Sequence, residues 1–212
     1  LLFGDADGRW RFYNGDLSVN GGLTLSDLTP EARFYPLRSN DFQLTLKNDE
    51  IRAGGTLVHP ASGTKVTDVS IRHMLSTGNG QAVLDVPGLT FNEGLQPEEL
   101  SRLTEGVIAL VVGTVKRQGE ISWKGDGTVT STGDFSTANM DLAAPFGPVT
   151  GLTTSVHFTD LLNLVSAPNQ TESVASINPG ILVENGVIRY QLLPDQLVKV
   201  ERLGDAGMHW HF

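Results

Sequence analysis

From Pro148 to Leu192 the chain reads P-V-T-G-L-T-T-S-V-H-F-T-D-L-L-N-L-V-S-A-P-N-Q, a short link T-E-S, then V-A-S-I-N-P-G-I-L-V-E-N-G-V-I-R-Y-Q-L. Successive side chains of a strand point to opposite faces. Over Thr150 to Phe158 this puts Leu152, Val156 and Phe158 on one side and Gly151, Thr153, Ser155 and His157 on the other. The run is therefore a strand with one apolar and one polar face. Asp160-Leu161-Leu162 predicts a brief helical turn, capped by Thr159 or Asp160. Asn178-Pro179-Gly180 predicts a tight entry into a last pair of strands, and Asn185-Gly186 predicts a hairpin between them. Ile188, Tyr190 and Leu192 then share a face.

Working outward, the same style fills the first half. Asp5-Ala6-Asp7-Gly8 reads as a turn, and Trp10 and Phe12 fall together in the strand after it. Asn14-Gly15 turns the chain into a run with Leu17, Val19, Leu23 and Leu25 on one side. Phe42, Leu44 and Leu46 alternate with Gln43, Thr45 and Lys47. After Asn48-Asp49 come Ile51, Ala53 and Leu57, and after Pro60 to Gly63 come Val69, Ile71, His73 and Leu75. Gly78-Asn79-Gly80 leads to Ala82, Leu84 and Val86. Turn signals at short, regular spacing predict an antiparallel meander over 1–91. Residues 92–112 break the pattern. Pro97 fits a first helical turn, Glu98 and Glu99 suit its dipole, and Leu100 and Leu103 can share a surface. A helix is expected over Pro97 to Leu110, lying on a sheet face or plugging an end. Strands resume over 113–212 with Gly113 to Gln118, Glu120 to Lys124, Gly127 to Phe135 and Asn139 to Leu142. Gly125-Asp126-Gly127 is a hairpin signal.

Composition narrows the function classes. The 24 Gly and 10 Pro make the chain turn-rich, which suits many short strands. A formal net charge of −9 opposes nucleic acid, which needs a basic stripe, and opposes docking to anionic headgroups by charge alone. With no cysteine there is no thiol chemistry and no disulfide. Val107 to Val112 is far short of the roughly 18 apolar residues of a spanning helix. Leu1-Leu2-Phe3-Gly4-Asp5 has no signal-peptide pattern, and the chain reads as one continuous domain cut from a longer protein.

Chemistry-bearing constellations are thin. His209 and His211 share a strand face but lack the third ligand that zinc requires. Asp5-x-Asp7-Gly8 is half a calcium loop with the glycine too early. His59, His73 and His157 have no nucleophile or acid at a recognisable spacing. No acid–base pair can be nominated, so neither enzyme activity, metal nor cofactor is expected.

The ordered segments G-L-T-T-S-V-H-F-T-D-L-L (Gly151 to Leu162), A-P-N-Q (Ala167 to Gln170) and I-N-P-G-I-L-V-E-N-G-V-I-R-Y-Q-L (Ile177 to Leu192) resemble the C-terminal part of the YdbH family. So do G-T-V-K-R-Q-G-E-I-S-W (Gly113 to Trp123) and V-K-V-E-R-L-G-D-A-G-M-H-W-H-F (Val198 to Phe212). That family belongs to the AsmA-like, TamB-related bridges of the Gram-negative envelope. The resemblance implies an elongated antiparallel β-sheet curved into an open groove. It also implies a periplasmic bridge, anchored in the inner membrane outside this chain, that carries phospholipid between inner and outer membranes. Outer-membrane or periplasmic proteins would be further partners.

About a dozen apolar rows must be buried against something. Two readings stay open. In one the rows pack into a filled sandwich or barrel core. In the other they line a trough, about 55–60 Å long for a dozen strands, that shields acyl chains. On the trough reading Leu152, Val156, Phe158, Ile188, Tyr190 and Leu192 are the candidate lining. A structural or adhesive β-domain would instead expose Trp10, Trp123, Tyr190 and Trp210 as a platform for protein or glycan. An older label for the family, dicarboxylate transport, would need converging cations, for which Arg189 and Lys199 are the candidates.

Overall fold

Alternating apolar and polar side chains, separated by tight turns, produce a meander, because each short turn can only return the chain beside its predecessor. The computed structural model describes residues 2–195 and 197–205 and bears this out. The strands are β1 (Leu2–Tyr13), β2 (Asp16–Ser26), β3 (Leu37–Lys47), β4 (Glu50–Val58), β5 (Lys65–Met74), β6 (Gly80–Phe91) and β7 (Ala109–Trp123). They continue as β8 (Val129–Ala144), β9 (Gly147–Asp160), β10 (Val165–Ser166), β11 (Gln170–Ile177), β12 (Val183–Leu193) and β13 (Leu197–Asp205). They form one open antiparallel sheet in chain order, with β10 paired to β9 off the main path. Among the described residues no helix is long and apolar enough to cross a membrane.

Several local expectations fail, each for a visible reason. The helix expected over Pro97 to Leu110 is two 3-10 turns, Pro97–Glu99 and Arg102–Thr104. Ser101 between them is extended, at φ −147° and ψ 130°, and its hydroxyl caps Leu103 N–H while donating to Arg33 C=O at 2.5 Å. The Gln96 side chain acts as a strand partner, accepting from Val111 N–H at 2.8 Å and donating to Val111 C=O at 2.9 Å. Residues Ala109 onward are thereby drawn into β7. The helical turn expected at Asp160 is a hydrogen-bonded turn leading to β10. Asn185-Gly186 is no hairpin but lies inside β12, where Asn185 takes φ 52°. Asp5 to Gly8 is no turn either, since β1 runs through it with a register shift between Gly4 and Asp7. The four strands expected between Gly113 and Leu142 are two long ones, β7 and β8.

Positive φ inside strands clusters in β7–β12, whereas register shifts occur along the whole sheet. Positive φ occurs at Leu110, Asn139, Gly151 and Asn185, within four different strands. The register shifts beside Leu110, Asn139 and Gly151 mark bulges, which bend a strand and increase its twist. At Gly151 (φ 61°) a Cβ would come 2.7 Å from the Ala175 Cβ, so glycine is required. The freed N–H of Gly151 donates to the Asp141 carboxylate at 2.8 Å, and that of Asn139 to Thr153 Oγ1 at 3.2 Å. The β3–β4 irregularity is satisfied in the same way. Thr56 N–H donates to Asp41 at 2.8 Å and holds that carboxyl below its ordinary pKa.

Burial follows the pleat. In β9 Leu152 and Phe158 are buried, while Thr153, Ser155 and His157 are exposed. One contiguous cluster runs from β6 to β12 and includes Phe91, Leu95, Val111, Met140, Leu152, Val174, Ile177 and Ile188. A smaller one joins Leu37, Leu57 and Val69. Leu100 packs against both. No second sheet exists among the described residues. The buried rows therefore find their partners on the same sheet, coiled upon itself, and on the 92–108 connection.

Candidate functional site

The register lines up apolar side chains across strands that lie far apart in sequence. Trp10, Val19, Leu44, Ala53, Ile71, Ala82 and Ile121 are successive cross-strand partners, and Ser131 ends the series. A parallel series runs Phe12, Leu17, Leu46, Ile51, His73, Gly80 and Trp123, ending at Val129. These two columns occupy one face of β1 to β8. Seven strand spacings make each about 34 Å long, roughly twice the ~15 Å hydrocarbon depth of one bilayer leaflet. Most of their side chains are only half-buried, and Trp10 and Phe12 at the β1 edge are 74% and 62% exposed. The opposite face is polar and carries ion pairs such as Glu50 with Arg52 and Arg72.

The columns are open partly because their neighbours are small. Gly21 and Gly55 flank Phe42 one column further on, and Ala53 and Ala82 leave little volume above the sheet. Gly80 lets the Trp123 indole lie on the backbone, where a Cβ would collide with the ring. The indole N–H donates to His73 Nδ1 at 3.1 Å, with the rings stacked at 6.0 Å between centroids. Because an indole only donates, that His73 nitrogen is the acceptor of this bond. His59 and His157 are likewise engaged locally, with Ser62 at 2.9 Å and Asp134 at 2.9 Å.

The six residues nominated from the sequence all lie on the same face, further along the sheet. Leu152, Phe158, Ile188 and Tyr190 are buried, and Val156 and Leu192 are half-buried against the same cluster. Beside them stands a group the sequence reading missed. Thr154, Glu172 and Ile188 are cross-strand partners, and Thr154 Oγ1 lies 3.3 Å from Tyr190 Oη. Burial pushes the Glu172 carboxyl up to about 7, and burial also pushes the Tyr190 hydroxyl up to about 12. The Glu172 carboxyl makes no hydrogen bond among the described residues. Its place on the apolar face was readable from the alternation Gln170, Glu172, Val174, but nothing local said that the face would close over it.

The other candidates disperse. Trp123 is half-buried, Tyr190 buried and Trp10 exposed, so these three form no flat platform, and Trp210 lies outside the described residues. Arg189 and Lys199 are exposed, and Lys199 pairs with Glu201 at 3.4 Å. No three His, Cys, Asp or Glu side chains converge among the described residues. His209 and His211 also lie outside them.

At the β8 end of the columns, the turn after β9 folds over the face. Leu161 packs on Gly119, where a Cβ would strike its side chain. Leu162 N–H donates to Ser131 Oγ at 3.0 Å, and the Ser131 hydroxyl donates to Asp160 Oδ1 at 3.0 Å. Burial alone would raise the Asp160 carboxyl, but hydrogen bonds from Asn163 and Ser131 hold it below the ordinary value.

Comparison with known proteins gives one match. The family model described as "YdbH-like: Intermembrane phospholipid transport protein YdbH" covers residues 4–209, nearly the whole chain. No curated protein and no solved structure matches significantly. The chain belongs to the YdbH-like family.

Proposed function

With membership of the YdbH-like family as the premise, we propose that the apolar face of this sheet shields phospholipid acyl chains on their passage between two membranes, in the periplasm. The supporting observation is the pair of half-exposed columns from β1 to β8, continuous across eight strands and backed by a polar face. Burying a CH₂ group yields about 0.8 kcal/mol, so an acyl chain is held by area alone and needs no specific side chain. Successive positions along a column present similar aliphatic groups. The energy differences between them are small, and movement along the face is diffusive and passive. The face needs no catalytic group for this.

Leu152, Val156, Phe158, Ile188, Tyr190 and Leu192 continue this lining at its closed end. There side chains already touch one another, so a lipid tail must displace protein contacts to enter. A photoreactive residue at position 44 or 156 tests this arrangement. Lipid capture is expected at 44 and less at 156. No lipid adduct at either position, in protein offered phospholipid vesicles, overturns the reading.

A further inference from the structure

Where the two apolar columns end, the chemistry of the surface changes abruptly. Val129 and Ser131, the terminal members, both line a cavity of about 350 Å³ shared with Arg33, Thr159, Asp160 and Asn163. By the volume of liquid water this holds on the order of ten water molecules, room for a phosphate with a short amine. Arg33 arrives there from the connection between β2 and β3. Its backbone is fixed on both sides: its N–H donates to the Asp27 carboxylate at 3.0 Å, and its C=O accepts the Ser101 hydroxyl at 2.5 Å. Its guanidinium makes no hydrogen bond or ion pair among the described residues. Its five N–H donors, on a half-buried side chain, therefore have no protein partner among the described residues, although the Asp27 carboxylate feels its charge.

Asp160 supplies the opposite charge. Oδ1 accepts from the Ser131 hydroxyl at 3.0 Å and from Asn163 N–H at 3.2 Å, while Oδ2 accepts only from Asn163 Nδ2 at 2.7 Å. A carboxylate oxygen takes two donors, so Oδ2 keeps one acceptor position. The Arg33 charge helps to hold this carboxyl ionised. The cavity thus offers a cation and an anion that are not joined by an ion pair, at the end of an aliphatic ribbon.

We propose that this cavity is a headgroup site for a zwitterionic glycerophospholipid, with the Arg33 guanidinium on the phosphate and Asp160 Oδ2 on the headgroup ammonium. The proposal rests on the acyl-chain reading above, since it is the columns that bring the headgroup to the cavity. Guanidinium and phosphate match as a planar fork on two oxygens. A purely anionic headgroup meets Arg33 but is repelled by Asp160. An uncharged glyceride leaves both charges without partners. Selection between headgroups follows from this balance of charges, in a chain whose net charge of −9 otherwise disfavours anions.

The test loads the purified chain, carrying a photoreactive residue at position 44, with phosphatidylethanolamine, phosphatidylglycerol or diacylglycerol of identical acyl chains. Adducts are counted by mass spectrometry. Phosphatidylethanolamine is expected to be captured about tenfold more than either competitor, the scale of losing one charge-assisted contact. Arg33→Gln should bring it down to the diacylglycerol level, and Arg33→Lys should recover part of the loss. Asp160→Asn should let phosphatidylglycerol compete equally. Since Asp160 also holds its turn, circular-dichroism melting accompanies that variant, and if it fails to fold the Arg33 pair decides alone. Equal capture of all three lipids, or a preference that survives Arg33→Gln, overturns the headgroup site and leaves the acyl-chain reading standing. Capture of none of them overturns the acyl-chain reading itself.

Discussion

The two halves of this sheet carry the same alternation and use it differently. In the cluster that spans β6 to β12 the apolar side chains are buried: Val111 is 1% exposed, Val174 3% and Ile188 4%. From β1 to β5, toward the Asn14 and Asn48 turns, rows of equal regularity are half-exposed. Hydrophobicity does not separate them, since Leu17, Leu44 and Ile51 are as apolar as Leu152 and Ile188. What differs is shape and volume. The second half has bulged strands that coil and a connection that drives Leu95 and Leu100 onto the face. In the first half the columns run beside the glycine pairs Gly21-Gly22 and Gly54-Gly55. A row of apolar side chains specifies a face, and local curvature decides whether that face is packed or left half-exposed.

The sharpest way to break this comparison is to remove volume from both halves. Leu152→Ala or Ile188→Ala should cost about 2–4 kcal/mol, because each leaves a cavity among packed neighbours. Leu44→Ala should cost under about 1 kcal/mol, because solvent already reaches the site. Urea unfolding measures both, and equal costs would end the distinction.

Glu172 sharpens the comparison through pH. Its carboxyl is raised from 4.5 to about 7 in the folded state. Between those values the folded protein binds a proton that the unfolded chain has released, so stability falls as pH rises through this window. Below it the group is neutral in both states and contributes nothing. Glu172→Gln should therefore match the parent at pH 4 and exceed it by about 1–2 kcal/mol at pH 8, after allowance for partial exposure. Melting curves across that range check this. A flat parent profile would mean that the second half is wetter than its packing implies.

A smaller effect is expected at the junction of the two halves. Trp123→Phe keeps the ring over Gly80 but removes the donor to His73, at about 1 kcal/mol or less. Nitrogen chemical shifts should show His73 Nδ1 losing its partner, and an unchanged signal would contradict the stacking geometry.

Much of the fold was legible in the residues. Period-two patterning assigned faces correctly in β2, β3, β4, β9 and β12. Asn14-Gly15, Asn48-Asp49 and Gly125-Asp126-Gly127 turned the chain where their backbone preferences allow positive φ. Other local signals were overruled by distant partners. Asn185-Gly186 has the composition of a hairpin, yet Gly186 pairs with Val174 on one side and Asp205 on the other, and the positive φ falls inside the strand. Pro97, Glu98 and Glu99 open a helix that Ser101 and Gln96 stop, through bonds to Arg33 and Val111. The six lining candidates shared a face as expected. The columns from Trp10 and Phe12 went unseen, because register across seven hairpins is invisible to a reading made one strand at a time.

The sequence by itself settled that this is a turn-rich antiparallel meander, acidic, without thiols, and apolar along one side of each strand. These properties depend on neighbours two to four residues apart, where backbone sterics and the pleat leave few options. Tertiary structure alone decided how the rows align into columns, where the sheet coils shut, and which charged side chains line one cavity at the end of the columns. Those outcomes depend on bulges and on contacts between residues such as Arg33, Ser101 and Asp160. No local preference encodes them, because their energies arise only once the whole sheet has closed around them.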